Sequence, residues 1–149
     1  MKTLARFAGL ASLALALLAA PGSAEASEVR LGVGADWWQD REAIFQVNLG
    51  FEAQVAGPLA MGLRFGGLYM RDSRDFGVPA DLIVKLNFEQ GFYLEGLAGV
   101  WTVVRENHPF NSHFAGGIGV QGKAVSLGVE LGVLQGEPIY GARLAYYFH

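Results

Sequence analysis

The chain has 149 residues, of which 52% are hydrophobic, and it carries a formal net charge of −3 with no cysteine. Without cysteine there is neither a disulfide framework nor a lipid-modified N-terminal cysteine. The acidic balance and the lack of a basic run argue against nucleic acid as a partner. After residue 26 no stretch offers about 18 uninterrupted apolar residues, so no transmembrane helix is predicted.

The first 26 residues have the pattern of a secretory signal peptide. Two basic residues precede an apolar segment at residues 7–20, which is too short to span a bilayer comfortably. Small residues follow at Ala24 and Ala26, in the small-x-small spacing that a signal peptidase cleaves. The sequence therefore predicts a signal peptide over residues 1–26 and a mature domain over residues 27–149.

The mature domain alternates between apolar and polar positions in eight successive windows. In the first window, Val29, Leu31 and Val33 alternate with Arg30 and Gly32. A period of two is typical of β-strands and argues against helices over these segments. In chain order the windows are EVRLGVGADWWQ, AIFQVNLGFEAQVAG, LAMGLRFGGLYM, PADLIVKLNFEQ, FYLEGLAGVWTVVRE, HFAGGIGVQGK, VSLGVELGVLQ and IYGARLAYYFH.

Short breaker segments separate the windows, among them residues 56–58 (Ala-Gly-Pro) and residues 71–77 (RDSRDFG). Connections this short join neighbouring strands as antiparallel hairpins. The sequence thus predicts an all-β domain, an eight-stranded antiparallel up-and-down transmembrane β-barrel with strands of about 10 to 12 residues. A bulge at Gly66-Gly67 would exchange the two faces of the third strand.

Alternation alone leaves open which face points into the barrel. A soluble lipocalin-like carrier encloses its apolar face, whereas a membrane barrel turns that face toward lipid. The interior of an eight-stranded barrel is only just wide enough for its side chains. The many bulky residues of the apolar face, such as Phe45, Phe51 and Phe65, exceed that space. The membrane barrel is therefore predicted, and the soluble carrier is the alternative.

Aromatic residues of the apolar face gather near the strand ends. Amphipathic rings are enriched at the two interfaces of a membrane, where they form a girdle at each rim of a barrel. The predicted aromatic girdle consists of Trp37, Phe45, Tyr69, Phe88, Phe92, Phe114, Tyr140, Tyr146 and Phe148.

The opposite face combines glycines with charges of both signs, and it is predicted to line the interior. Opposite charges in so narrow a space are expected to pair, because an unpaired buried charge costs several kcal/mol. The predicted interior charge network consists of Arg30, Glu52, Arg64, Lys85, Glu95, Arg105, Glu130 and Arg143.

One end of the predicted interior is apolar rather than charged. These residues either fill one another's space as a plug or form a mouth that holds a small hydrophobic or acyl ligand. The residues of this apolar mouth are Trp38, Ile44, Leu68, Trp101, Val103, Leu134 and Ile139.

The signal peptide, the eight windows and the terminal LAYYF resemble small bacterial outer-membrane β-barrels of the OmpA/OmpX kind. The resemblance is one of pattern and extends over residues 27–149. It implies an outer-membrane location, contact with outer-membrane lipids and lipopolysaccharide, and a monomeric, structural role in the envelope. In that family the barrel-assembly machinery recognises a terminal aromatic strand, which implies this role for Phe148 with Tyr146. The chain departs from the pattern because His149 follows Phe148.

The segment NHPFNSH (residues 107–113) is predicted to be a loop at the outer rim. Some outer-membrane barrels are lipid A acyltransferases or deacylases with His and Ser near that rim, so a lipid A-modifying enzyme using His108 and Ser112 is a further alternative. We favour a polar turn shaped by Pro109, and predict no enzyme activity. No carboxylate stands at metal-ligand spacing from His108 or His113, so neither a metal site nor a cofactor is predicted.

Overall fold

The computed structural model describes residues 28–39, 41–104 and 110–148. The predicted signal peptide lies outside the described residues and stays a prediction. Among the described residues, no helix is long and apolar enough to cross a membrane. The strands are β1 (Glu28–Trp38), β2 (Glu42–Ala56), β3 (Leu59–Met70), β4 (Phe76–Asn87), β5 (Phe92–Val103), β6 (Phe110–Gln121), β7 (Val125–Leu134) and β8 (Glu137–Phe148).

Each strand pairs antiparallel with its neighbours in the chain, and β8 pairs with β1 to close the barrel. The closing seam runs in unbroken register from Val29 opposite Phe148 to Trp38 opposite Ile139. Closure leaves no free sheet edge, so the terminal strand is an internal member of a continuous sheet. The predicted eight-stranded antiparallel up-and-down barrel is confirmed.

Successive residues face alternately into the lumen and outward. On β2, for example, Asn48 is buried in the lumen while Val47 and Leu49 are exposed on the outside. We call the end of the barrel where β1 begins the lower end. The opposite end, where β1 turns into β2, is the upper end.

Two strands begin three residues earlier than the sequence windows predicted. β4 begins at Phe76, so the loop predicted over residues 71–77 is confined to residues 71–75. β6 begins at Phe110, so Ser112 belongs to a strand rather than to a loop, and His113, where the sixth window begins, lies inside the strand. In both cases an outward-facing phenylalanine extends the apolar alternation of the strand. The polar residues next to it gave the segment the composition of a loop.

The register also differs from expectation at one place. The irregularity between β2 and β3 lies between Gln54 and Ala56, at the lower end of β2 beside the turn that reverses the chain. Gly66 and Gly67 pair with β2 in regular register, with Gly66 opposite Asn48. The faces of β3 are therefore not exchanged.

Glycines make room for one large ring inside the lower half of the barrel. Gly119 and Gly128 face each other on β6 and β7. A Cβ atom built on either of them would collide with the phenol group of Tyr93, which is only 2% exposed. These two positions need glycine because a narrow lumen cannot hold further atoms beside an aromatic ring.

Candidate functional site

The outer surface of the barrel is apolar on all eight strands. Val47 is 55% exposed, Leu131 is 69% exposed and Phe110 is 70% exposed, although all three lie within regular strands. Each residue of the predicted aromatic girdle also faces outward. They are Trp37, Phe45, Tyr69, Phe88, Phe92, Phe114, Tyr140, Tyr146 and Phe148. An apolar surface on every strand is the reverse of a water-soluble barrel.

The middle of the lumen holds a charged cluster centred on Arg64, which is 4% exposed. Its Nη1 lies 2.6 Å from Oε1 of Glu130 on the far side of the barrel. Its Nη2 lies 2.9 Å from Oδ2 of Asp81 on the neighbouring strand. A planar guanidinium presents several donors in a fixed fork, so one arginine holds two carboxylates at once.

Arg143 extends this cluster toward β1. Its Nη2 lies 3.0 Å from Oε2 of Glu130 and 2.6 Å from Oδ1 of Asp36. Asp36 in turn accepts a hydrogen bond of 2.5 Å from the side-chain amide of Gln46. Glu130 thus bridges two arginines, and the chain of contacts passes around the lumen.

The other end of the cluster is formed around Asp81. Its Oδ1 lies 2.7 Å from Nδ1 of His113, and the indole N–H of Trp101 donates to it at 3.3 Å. The rings of Trp101 and His113 are 4.5 Å apart. We call the whole set the upper network; it takes one residue from each strand in order, namely Asp36, Gln46, Arg64, Asp81, Trp101, His113, Glu130 and Arg143.

A second set of charges lies nearer the lower end, and we call it the lower network. Nε of Arg30 lies 2.9 Å from Oε1 of Glu52, and Nη2 of Arg30 lies 3.6 Å from Oε2 of Glu95. The other carboxylate oxygen of Glu52 lies 3.2 Å from Nζ of Lys85. The lower network therefore joins β1, β2, β4 and β5 through alternating charges.

Lys85 is the most enclosed charge of the lumen, with no exposed surface. Besides Glu52, its ammonium donates to the side-chain oxygen of Gln121 at 2.6 Å and to the hydroxyl of Tyr147 at 2.8 Å. It also lies 4.6 Å from the ring centre of Tyr93 and 5.0 Å from that of Tyr147. We call these four surrounding residues the ammonium cage.

The upper end of the lumen is filled by an apolar cap. Each of its side chains is at most 3% exposed, and together they form one continuous cluster. The predicted mouth residues all belong to this cap, and Met70 joins them. The cap consists of Trp38, Ile44, Leu68, Met70, Trp101, Val103, Leu134 and Ile139.

One ion pair lies across the outer surface of the cap. The guanidinium of Arg41 stacks 4.5 Å above the ring of Trp38 and lies 2.9 Å from a carboxylate oxygen of Glu137. Both members of this pair are more than two-fifths exposed. Behind the cap, the space between the upper and lower networks amounts to about 20 Å³, which is room for one water molecule.

The predicted interior charges lie in the lumen wherever the structure describes them. Arg105 and His108 lie outside the described residues. Ser112 and His113, which are adjacent on β6, face opposite ways, so the serine is exposed on the outside while the histidine is in the lumen. Among the described residues, no group of three or more His, Cys, Asp or Glu is arranged to hold a metal ion.

Sequence reasoning missed several members of the two networks. Asp36 and Asp81 occupy lumen-facing positions of the alternation but were not assigned to the network. Gln46 and His113 also lie on that face, and the hydroxyl of Tyr147 completes the cage. The signal that identifies them is their position in the alternation, since every second residue of a strand faces the lumen. This holds for uncharged polar residues as well as for charged ones.

No protein-family model matches the chain, and no curated protein matches it in sequence. Among solved structures, a de novo designed transmembrane β-barrel is similar with a TM-score of 0.67 and 15% identity, covering 83% of this chain and 98% of that one. The fold is that of a transmembrane β-barrel.

Two further structures are similar over comparable lengths. The solution structure of the designed barrel TMB2.3 has a TM-score of 0.59 and 17% identity, covering 83% of this chain and 95% of that one. Ail, the attachment invasion locus protein of Yersinia pestis, has a TM-score of 0.49 and 12% identity, covering 82% and 97%. At such identities the similarity to the designed barrels concerns the fold alone.

Proposed function

We propose that this protein is an integral outer-membrane β-barrel with a closed lumen and a structural role in the bacterial envelope, without catalytic activity. The observation that carries the proposal is the combination of an apolar outer surface on every strand with a lumen filled by paired charges and an apolar cap.

The outer surface supports insertion into lipid. Soluble monomers rarely expose contiguous apolar patches larger than a few hundred Å², yet here the exposed apolar side chains encircle the barrel. A closed barrel also satisfies its backbone polar groups between strands, which is the condition for crossing a bilayer without helices. A soluble lipocalin-like carrier would need an apolar lumen, whereas the middle of this lumen carries Arg64, Asp81 and Glu130.

The filled lumen supports a structural role over transport. The cap closes the upper end with tightly enclosed side chains such as Trp38 and Leu134. Lys85 and its cage close the lower end. Within the part of the lumen that the structure describes, the space between them holds about one water, which is too small for an acyl chain.

The outer membrane is favoured over other membranes by sequence features. The predicted signal peptide directs export, and the terminal strand β8 ends in the outward-facing aromatics Tyr146 and Phe148. We propose that the barrel-assembly machinery reads this strand. We further propose that the protein is a monomer, with outer-membrane lipids and lipopolysaccharide as its surroundings.

Planar-bilayer conductance tests the closed lumen. The mature chain, residues 27–149, is reconstituted beside a known open porin as the positive control. We expect no steady conductance from this protein, because both ends of its lumen are filled. Stable single-channel steps would contradict a closed barrel. Altered lipid A on overexpression, followed by mass spectrometry, would instead favour the enzyme alternative.

A further inference from the structure

The lower end of the lumen contains a set of groups that is complete as a receptor for a cation. The acceptors come from Glu52, Gln121 and Tyr147, on three strands that are not neighbours of β4. Lys85 reaches them from β4 by extending its four-carbon stem across the lumen. The contacts therefore brace the barrel across its interior, which the adjacent ladder of strands does not do.

The cage matches the chemistry of a primary ammonium group. An –NH₃⁺ group has three donors, and three oxygens lie 3.2, 2.6 and 2.8 Å from Nζ. The face of Tyr93 supplies cation–π attraction at 4.6 Å from Nζ, whereas Tyr147 meets the ammonium through its hydroxyl. One carboxylate, two neutral acceptors and one aromatic face form a site of the kind that recognises organic amines.

We propose that the lower end of the lumen is a binding site for a primary alkylammonium ion, which Lys85 occupies as an internal ligand. The stem of the lysine fills the rest of the site, so free amines are excluded from the native protein. Removing the stem opens the site without removing any of the groups that recognise the ammonium. This inference goes beyond the proposed envelope role and does not depend on it.

The test uses Lys85→Ala, which keeps Cβ and deletes three carbons and the ammonium. n-Propylammonium has the same three carbons and charge, so it restores the missing atoms. The site lies at the lower end of the lumen, where Gln121 is only partly buried, so a small ion can reach it from solution once the stem is removed. Lys85→Met is the matched control, because it refills the volume of the stem without charge.

Thermal melting of the folded barrel provides the readout. We expect Lys85→Ala to melt below the native protein, and propylammonium chloride at about ten times its Kd to raise that temperature on the order of 5 °C. The native protein and Lys85→Met should not respond. Neutral 1-propanol and sodium chloride at equal concentration should leave Lys85→Ala unchanged, because they lack the charge or the stem.

Where Lys85→Ala folds on its own, two outcomes would overturn the proposal. One is an equal response of Lys85→Ala to propylammonium and to 1-propanol, which would show a non-specific apolar cavity. The other is an equal response of the native protein and Lys85→Ala to propylammonium. If Lys85→Ala does not fold alone, folding restored by propylammonium supports the site. Failure with the amine while Lys85→Met folds overturns it. Folding of the barrel in plain buffer would refute the membrane proposal and leave this test intact.

Discussion

The apolar cap and the upper network meet at Trp101, which belongs to both, yet they fill the lumen by different physical means. Cap residues such as Leu134 and Ile139 make apolar contacts that have no preferred direction, so these contacts depend mainly on the volume of the side chains. In the upper network, Arg64 depends on two carboxylates placed at particular distances. The cap should therefore tolerate changes of shape that keep volume, whereas the network should tolerate no loss of a partner.

The largest effect is expected from Arg64→Ala. It leaves Asp81 and Glu130 without their shared guanidinium in a buried site, and breaking such a pair typically costs about 3–5 kcal/mol of unfolding free energy. Urea unfolding in lipid vesicles measures the loss. Adding Asp81→Asn should recover part of it, because Asp81 loses its guanidinium partner whereas Glu130 keeps Arg143. An unchanged midpoint in Arg64→Ala would mean that the paired interior contributes no stability.

Truncation in the cap is expected to cost less than loss of Arg64. Leu134→Ala removes a fully enclosed side chain and leaves a cavity, which typically costs about 2–5 kcal/mol of unfolding free energy. The loss is nearer the smaller value if the neighbouring side chains relax into the cavity. Two conservative variants compare the cap and the network more sharply. Leu134→Met should cost under about 1.5 kcal/mol of unfolding free energy, because it nearly keeps the volume of the side chain. Arg64→Lys should cost more, because an ammonium group cannot reproduce the forked donors of the guanidinium. Equal losses in the two conservative variants would remove the distinction between cap and network.

A second comparison is between a glycine that faces the lumen and a glycine that faces outward. Gly128→Ala brings a methyl group against the hydroxyl of Tyr93, so overpacking should cost about 1–3 kcal/mol. Gly96→Ala is the matched control, because its Cβ would meet no atom within 4 Å. Urea midpoints of the two variants should therefore differ. Similar losses at both positions would indicate that strand curvature, rather than space in the lumen, selects glycine.

The smallest effect is expected from Arg41→Ala at the upper rim. Its ion pair with Glu137 is solvated, and such pairs contribute little because water screens them and two long side chains must be ordered. We expect no resolvable change in the melting temperature of Arg41→Ala, whereas Arg64→Ala measured in the same way should show a large decrease. A loss as large as that of Arg64→Ala would mean that the rim pair holds the cap in place.

Much of this architecture follows from the alternation of the sequence. Strand number, pairing and the outward face all depend on a period of two, which is repeated in every strand and so tolerates local ambiguity. The apolar mouth could be placed because its residues share one face and one end of the barrel. Strand bounds were less accessible, since Phe76 and Phe110 follow polar segments that have the composition of turns.

The partners within the lumen could not be predicted from sequence. Arg64 pairs across the barrel with Glu130, 66 residues away, and no local pattern encodes that distance. The sequence places His113 where a polar loop meets the sixth strand window, and its position beside Asp81 and Trp101 depends on where β6 begins. The position of a residue in the alternation shows whether it faces the lumen. The height and stagger of strands, which emerge only on closure, decide which residues meet.

The central claim is that the apolar face of a closed barrel is turned toward lipid. It is tested most directly by folding the mature chain in detergent micelles and comparing heated and unheated samples on a denaturing gel. A membrane barrel is expected to show a heat-dependent mobility shift with β-rich circular dichroism in detergent, and to aggregate in plain buffer. A monodisperse, β-rich monomer in plain buffer without detergent would contradict it, because a barrel with this outer surface would not remain dissolved.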